Sequence, residues 1–184
     1  MPILAAETSI YPEDLLRRSS RGLGSPWWAL YTKPRQEKSL ARQLLKARIP
    51  FFLPLVPRAR LYRGSRRESY VPLFTGYLFL CGTDEQRLAS LATNRVVQAI
   101  PVQSAAELID DLQQIERLIA SRAPLTVEKR LLPGQRVRIR AGALAGLEGT
   151  ILFRRRESRL LVVVRFLQQG VSVDLDDFML ERID

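Results

Sequence analysis

An arginine-rich segment around Gly64 is the part of this sequence best suited to bind a polyanion. The ten residues 58–67, which include this glycine, contain five arginines, namely Arg58, Arg60, Arg63, Arg66 and Arg67. Guanidinium groups form paired hydrogen bonds with phosphate oxygens, so a hairpin with its tip at Gly64 would present several phosphate-binding groups together. The segment therefore predicts a nucleic-acid contact. A solvated basic surface is the alternative.

The composition favours the same kind of partner and argues against catalysis. The 184 residues include 29 Lys or Arg and 19 Asp or Glu, which gives a formal net charge of +10. There is no histidine, so the chain lacks the commonest general base and the commonest nitrogen ligand of zinc. Asp174, Asp176 and Asp177 have no other group of metal ligands in the sequence beside them. We therefore expect a protein that is not an enzyme and that uses no cofactor and no metal.

The distribution of apolar residues predicts where the protein resides. No run approaches the roughly 18 apolar residues that a membrane-spanning helix needs. The first residues, Met-Pro-Ile-Leu-Ala-Ala-Glu, lack the basic start of a secretory signal. We expect a cytoplasmic monomer that does not bind membranes, and we expect the single cysteine, Cys81, to be a small buried residue.

Two apolar and aromatic segments are typical of β-strands. They are the residues 27–31, Trp-Trp-Ala-Leu-Tyr, and the residues 77–80, Tyr-Leu-Phe-Leu. Alternate residues of a strand share a face, so Tyr77 and Phe79 are predicted to lie on one side of a sheet. Both would then face the core or both would face outward, and the pattern by itself leaves the two possibilities open.

Helical periodicity is clear in two other segments. Leu40, Leu44 and neighbouring apolar residues form one stripe, and Leu108, Leu112 and Ile115 form another after a Ser-Ala-Ala-Glu capping box at 104–107. Residues 130–184 instead have the composition of a series of β-strands. The sequence thus predicts an α+β fold with two domains, and it divides the chain into a flexible tail (1–26), an α/β domain (27–121), a linker (122–130) and an all-β domain (131–184).

The glycine-rich segment 131–149 resembles a KOW motif. A Pro-Gly turn leads into alternating Val137 and Ile139, and Gly142, Gly146 and Gly149 follow at short intervals before the next strand. KOW motifs form the core of a small β-barrel in ribosomal proteins and in transcription factors of the NusG type. The resemblance implies a KOW barrel over residues 131–184.

Across residues 27–184 the order of features resembles the NusG family of transcription elongation factors. The aromatic first strand is similar to theirs, and Pro72-Leu73-Phe74-Thr75-Gly76-Tyr77-Leu78-Phe79 resembles the family signature Pro-Leu-Phe-Pro-Gly-Tyr-(Val/Leu)-Phe, with Thr75 at its second proline. The resemblance implies an N-terminal sandwich of an antiparallel sheet with flanking helices. Details such as Tyr31-Thr32-Lys33 and the basic hairpin are similar to the specialised RfaH-like antitermination paralogs.

The resemblance also implies which residues bind partners. The positions that match the surface by which the family binds the clamp of the largest RNA polymerase subunit are Tyr31, Phe74, Tyr77 and Phe79. The alternative is that these aromatic residues belong to the core. The basic positions that match the surface beside the non-template DNA strand are Lys33, Arg58, Arg60, Arg63, Arg66, Arg67 and Arg95.

In the barrel, Phe166 matches the position that contacts a small-subunit ribosomal protein, although a core position for Phe166 is equally compatible with the pattern. General NusG proteins carry a Phe-Gly-Arg sequence that is linked to the Rho factor, where this chain has Phe166-Leu167-Gln168. The departure favours antitermination over Rho-dependent termination. The alternatives are a general NusG factor that supports Rho and a ribosome-associated RNA-binding protein with a KOW barrel.

Overall fold

In the described part of the chain, the strands form two antiparallel sheets and one two-stranded ribbon. A computed structural model of the chain describes residues 7–19, 25–128, 134–154, 157–174 and 180–183. Contacts divide the chain into two units, Met1–Ala105 and Ala106–Asp184. The prediction of an α+β fold with an all-β C-terminal part is confirmed.

The first unit is built on a five-stranded sheet in the order β1-β3-β6-β2-β7. Its leucines at positions 30, 78 and 80 form a buried cluster with Leu40, Ala41 and Leu44, which are the apolar stripe of α2. The ribbon of β4 and β5 extends from the chain between β3 and β6. The elements of this unit are β1 (Ile10–Tyr11), α1 (Leu15–Ser19), β2 (Trp27–Thr32), α2 (Glu37–Lys46), β3 (Phe51–Phe52), β4 (Leu55–Tyr62), β5 (Ser65–Pro72), β6 (Tyr77–Cys81), α3 (Asp84–Ala92) and β7 (Val96–Pro101).

The second unit contains one long helix and a six-stranded sheet in the order β13-β9-β10-β11-β12-β8. Residues such as Val137, Leu160 and Val173 are buried, and consecutive residues are buried in β12. Helix α4 buries Leu108, Leu112 and other residues of its apolar stripe. The elements are α4 (Ala105–Ala120), β8 (Leu125–Glu128), β9 (Arg136–Ile139), β10 (Glu148–Arg154), β11 (Glu157–Val164), a short 3₁₀ helix η1 (Arg165–Leu167), β12 (Gln169–Asp174) and β13 (Leu180–Arg182).

The segment predicted to be a flexible tail contains ordered structure between residues 10 and 19. Strand β1 pairs with β3, so Ile10 lies opposite Phe52 at the edge of the sheet. Leu15 and Leu16 of α1 are buried. The sequence pattern missed β1 because two residues are too few to show a period, and because the partner strand lies about 40 residues further along the chain.

The contacts divide the chain after Ala105, so α4 falls in the unit that contains strands β8 to β13. The sequence placed α4 in the N-terminal domain 27–121, and these domain bounds stay a prediction. Residues 125–128 of the predicted linker form β8, which pairs with β12. Periodicity identifies a helix and its apolar stripe, but it does not show which surface that stripe covers. Residues 129–133, which include the end of the predicted linker, lie outside the described residues.

Candidate functional site

Tyr31 and Tyr77 form an exposed aromatic pair at one end of the first sheet. Tyr31 near the end of β2 lies directly opposite Tyr77 at the start of β6. Their ring centroids are 5.3 Å apart with an angle of 47° between the planes. Tyr31 is 42% exposed and Tyr77 is half-buried. An aromatic surface that keeps its polar groups near solvent is well suited to bind another protein.

The turn that precedes Tyr77 supports this pair. Gly76 has a φ of +84°, and a Cβ atom added there would lie only 3.1 Å from Cε2 of Tyr31. The Tyr31 ring therefore lies directly against the glycine. The N–H of Gly76 donates a hydrogen bond of 2.8 Å to Oε1 of Glu37, and its carbonyl accepts one of 2.8 Å from the N–H of Thr32. Both backbone groups of the glycine are thus hydrogen-bonded.

The two phenylalanines assigned with these tyrosines to the polymerase surface are core residues. Phe74 is 1% exposed and Phe79 is 0% exposed. Phe79 shares a face with Tyr77, as the alternation predicted, but it lies opposite Ala29 further into the sheet, where it is covered. The prediction of direct contact is therefore corrected for Phe74 and Phe79, because a partner that docks on this conformation cannot reach them.

The arginine-rich segment forms the β-ribbon of β4 and β5. Arg58 lies opposite Ser69, Arg66 lies opposite Leu61, and Arg63 occupies the turn next to Gly64. Arg58, Arg63 and Arg66 are exposed. The register also places Arg60 opposite Arg67, whose side chains lie outside the described part of the chain. The ribbon thus brings together the basic positions that the sequence predicted at a hairpin.

Lys33 and Arg95, the other two predicted nucleic-acid contacts, lie side by side but differ in exposure. The N–H of Lys33 donates to the carbonyl of Arg95 at 2.8 Å, and Lys33 Nζ reaches Oδ1 of Asn94 at 2.8 Å. Lys33 is exposed and follows Tyr31 by two residues. Arg95 is half-buried, and its guanidinium donates to Ser39 Oγ and to the Thr93 carbonyl. Both side chains are therefore hydrogen-bonded within the unit, and Arg95 is the more buried of the two.

Phe166 lies in η1 of the second unit and is half-buried. The residue before it, Arg165, is held by Asp111 of α4. The backbone N–H of Arg165 donates to Asp111 Oδ2 at 2.8 Å, and its guanidinium NH2 donates to Oδ1 at 2.9 Å. Asp111 thus fixes both the backbone and the side chain of the residue next to Phe166.

Burial and ion pairing act in opposite directions on this carboxylate. The Asp111 side chain is almost fully buried, whereas that of Arg165 is about half exposed. Burial raises the pKa of Asp111, and the hydrogen bonds from Arg165 oppose that rise. The hydrogen bonds to Asp111 raise the pKa of Arg165, which therefore stays charged.

Glu37 and Asp111 were not recognised from the sequence, although a signal for both was present. Glu37 precedes Leu40 and Ala41 by three and four residues, and Asp111 stands three residues after Leu108 and four before Ile115. Each acidic residue therefore occupies the apolar stripe of its helix. A carboxylate in such a position has to find a hydrogen-bond donor when the stripe is buried.

A protein-family model described as transcription termination factor nusG matches residues 25–132. This match spans more than half of the 184 residues. The chain belongs to the NusG family. It is therefore a transcription factor of the NusG type, and the members of this family are non-enzymatic transcription factors.

Other comparisons add little to the NusG assignment. A chain in the crystal structure of the MjSpt4:Spt5 complex in conformation B has 16% sequence identity to this protein and a TM-score of 0.30. The alignment covers 86% of this protein and 97% of that chain. No curated protein matches the sequence. Among the described residues, no helix is both long and apolar enough to cross a membrane.

Proposed function

We propose that this NusG-family protein is a transcription elongation and antitermination factor of the RfaH-like kind. The N-terminal unit binds the clamp of the largest RNA polymerase subunit and suppresses pausing or termination. The observation that carries this proposal is the exposed pair of Tyr31 and Tyr77, supported by the Gly76 turn. Aromatic anchors on a rigid strand offer a large contact area at little entropic cost.

The basic groups near this pair supply a contact with the non-template DNA strand. Lys33 lies two residues beyond Tyr31, and the exposed arginines Arg58, Arg63 and Arg66 project from the ribbon. Guanidinium groups bind phosphate oxygens, so these exposed cations suit a phosphate backbone. Such contacts make binding dependent on salt.

The second unit recruits another partner through Phe166, and a small-subunit ribosomal protein is the partner we propose. Phe166 is half-buried, so part of the ring is open to contact. The chain continues with Leu167 and Gln168, where general NusG proteins carry the Gly-Arg linked to Rho. We therefore expect no productive binding to Rho. Pull-down of each partner with wild-type protein and with Phe166→Ala tests this part of the proposal.

The polymerase contact is tested by co-elution of the full chain with core RNA polymerase from the source organism. We expect the wild type to co-elute and the variant Tyr31→Ala/Tyr77→Ala to lose at least tenfold in affinity, because two anchors of roughly 1 kcal/mol or more are removed. Leu88→Ala is the matched control, since Leu88 is an exposed apolar residue of α3 without a proposed contact. Circular dichroism verifies that each variant is folded.

The outcomes separate the proposal from its alternatives. Binding that survives the double substitution would move the polymerase contact to another surface. No binding by the wild type, even on a nucleic-acid scaffold, would overturn the proposal, and co-sedimentation with ribosomes would then favour the ribosome-associated alternative. If the protein supports termination when Rho is present, the result would favour the alternative of a general NusG factor.

A further inference from the structure

Glu37 is a buried carboxylate close to the proposed polymerase surface. It is the first residue of α2 and is only 4% exposed, although its side chain is polar and ionisable. A carboxylate in the first turn of a helix is stabilised by the helix dipole, but it still requires hydrogen-bond donors once it is removed from water. This position costs free energy unless the surrounding backbone compensates for it.

The compensation comes from the turn before Tyr77. Glu37 Oε1 accepts the N–H of Gly76 at 2.8 Å, across 39 residues of the sequence. A hydrogen bond to an ionised acceptor is stronger than one between neutral groups. The bond joins the start of α2 to a turn that is otherwise held by the Thr32 N–H and by a bond of 3.2 Å from the Tyr77 N–H to the Phe74 carbonyl.

The position of this turn determines where both tyrosines lie. The Tyr31 ring packs against Gly76, within the space that a Cβ atom would occupy, and Tyr77 is the next residue in the chain. A shift of Gly76 would therefore move the surface on which the Tyr31 ring packs, and it would also move the backbone of Tyr77. Glu37 reaches neither ring in the hydrogen bonds described, and it acts on them through the glycine.

We infer that Glu37 is a positioning residue for the polymerase contact: its carboxylate fixes the Gly76 turn and thereby sets the arrangement of Tyr31 and Tyr77. This inference rests on the proposed function. Preorganisation of this kind lowers the free energy that a partner would otherwise spend to order the surface. Glu37 thus contributes to affinity without contacting the partner.

Two substitutions separate this role from a contribution to stability alone. Glu37→Gln keeps an oxygen that can accept the Gly76 N–H. Glu37→Met keeps a similar volume in the apolar stripe of α2 but removes the acceptor, so the Gly76 N–H loses its partner and some loss of stability is expected. Glu85→Gln and Glu85→Met are the matched controls, because Glu85 also lies in the first turn of a helix but is exposed.

The experiment measures polymerase affinity, melting temperature and exchange of the Gly76 amide proton for each variant. We expect Glu37→Met to weaken polymerase binding about tenfold, which is more than its lower melting temperature accounts for, and to exchange the Gly76 amide faster. Glu37→Gln should bind within about threefold of the wild type, which is less than 1 kcal/mol. The Glu85 variants should change none of the three measurements.

A folded Glu37→Met variant that binds polymerase as the wild type does would overturn the inference. The same holds if affinity falls only in proportion to a lower melting temperature, or if Glu37→Gln binds as weakly as Glu37→Met. Failure of the proposed function is a different result: the Tyr31→Ala/Tyr77→Ala variant would then bind normally. In that case the exchange rate of the Gly76 amide in Glu37→Met still tests whether Glu37 holds the turn, because faster exchange than in the wild type is expected only if it does.

Discussion

Each unit of this protein uses a buried carboxylate from a helix to hold a backbone N–H beside an aromatic residue. In the first unit Glu37 binds the N–H of Gly76 before Tyr77, and in the second Asp111 binds the N–H of Arg165 before Phe166, each at 2.8 Å. The difference lies in the partner group. Asp111 also binds the guanidinium of Arg165, so it is part of an ion pair, whereas Gly76 can offer Glu37 only an amide.

This difference predicts which unit depends more strongly on the charge of its carboxylate for stability. An uncharged amide side chain can replace a carboxylate that accepts a backbone N–H, but it replaces only part of a carboxylate that also neutralises a cation. Removal of one partner from a buried pair is costly because the other partner stays behind unpaired. The second unit should therefore be the more sensitive of the two to loss of its carboxylate.

The largest expected effect is on the second unit. Asp111→Ala should lower its free energy of unfolding by about 2–3 kcal/mol, because the Arg165 N–H and guanidinium lose their acceptor. Asp111→Asn should cost less, about 1 kcal/mol, since its amide oxygen can still accept the N–H. Chemical denaturation followed by circular dichroism measures both. The neighbouring Asp110 is exposed, so equal losses for Asp110→Ala and Asp111→Ala would contradict the comparison.

A smaller effect is expected from the Gly76 turn in the first unit. Gly76→Ala should destabilise this unit by about 1–2 kcal/mol, because an alanine is strained at positive φ and its Cβ presses on the Tyr31 ring. Gly64 at the ribbon tip has a φ of +76° but no atom within 4 Å of an added Cβ. Gly64→Ala therefore isolates the backbone strain. If both alanine variants lose the same stability, the contact with Tyr31 contributes nothing.

The smallest expected effect is the pH dependence that Asp111 contributes to the second unit. Because burial raises the pKa of Asp111 above its unfolded value, the folded state binds a proton more readily than the unfolded state in the pH range just above that value. The contribution of Asp111 to stability should therefore decline as the pH rises through its folded pKa. Unfolding measured between about pH 4 and pH 7 should show this decline. Asp111→Asn should remove it, and a variant that retains the same slope would assign the titration to another group.

Local periodicity predicted most of the elements in this protein. The apolar stripe after residue 104 indicated a helix that the structure gives as Ala105–Ala120, and short apolar segments in the C-terminal part indicated strands close to those observed. Strand β1 and strand β8 were missed, because their two and four residues are too short to show a period. Their pairing partners lie far along the chain, and only those partners make them strands.

The site was predicted only in part, for a related reason. Alternation placed Tyr77 and Phe79 on one face, yet Tyr77 is half-buried and Phe79 is fully buried. A strand pattern shows on which face of the sheet a residue lies. How deeply that residue is buried depends on the neighbouring elements that cover it. The resemblance could supply the four aromatic positions, but it could not separate the two exposed ones from the two in the core.

The sequence by itself determined the kinds of elements, their order, the excess of positive charge and the family to which the chain belongs. These properties depend on residue types and on spacings within single segments. The tertiary structure alone decided which aromatic residues remain exposed and which carboxylates hold the turns beside them. Those outcomes depend on groups 39 and 54 residues apart in the chain, where burial forces a polar group to pair with whatever donor the fold places beside it.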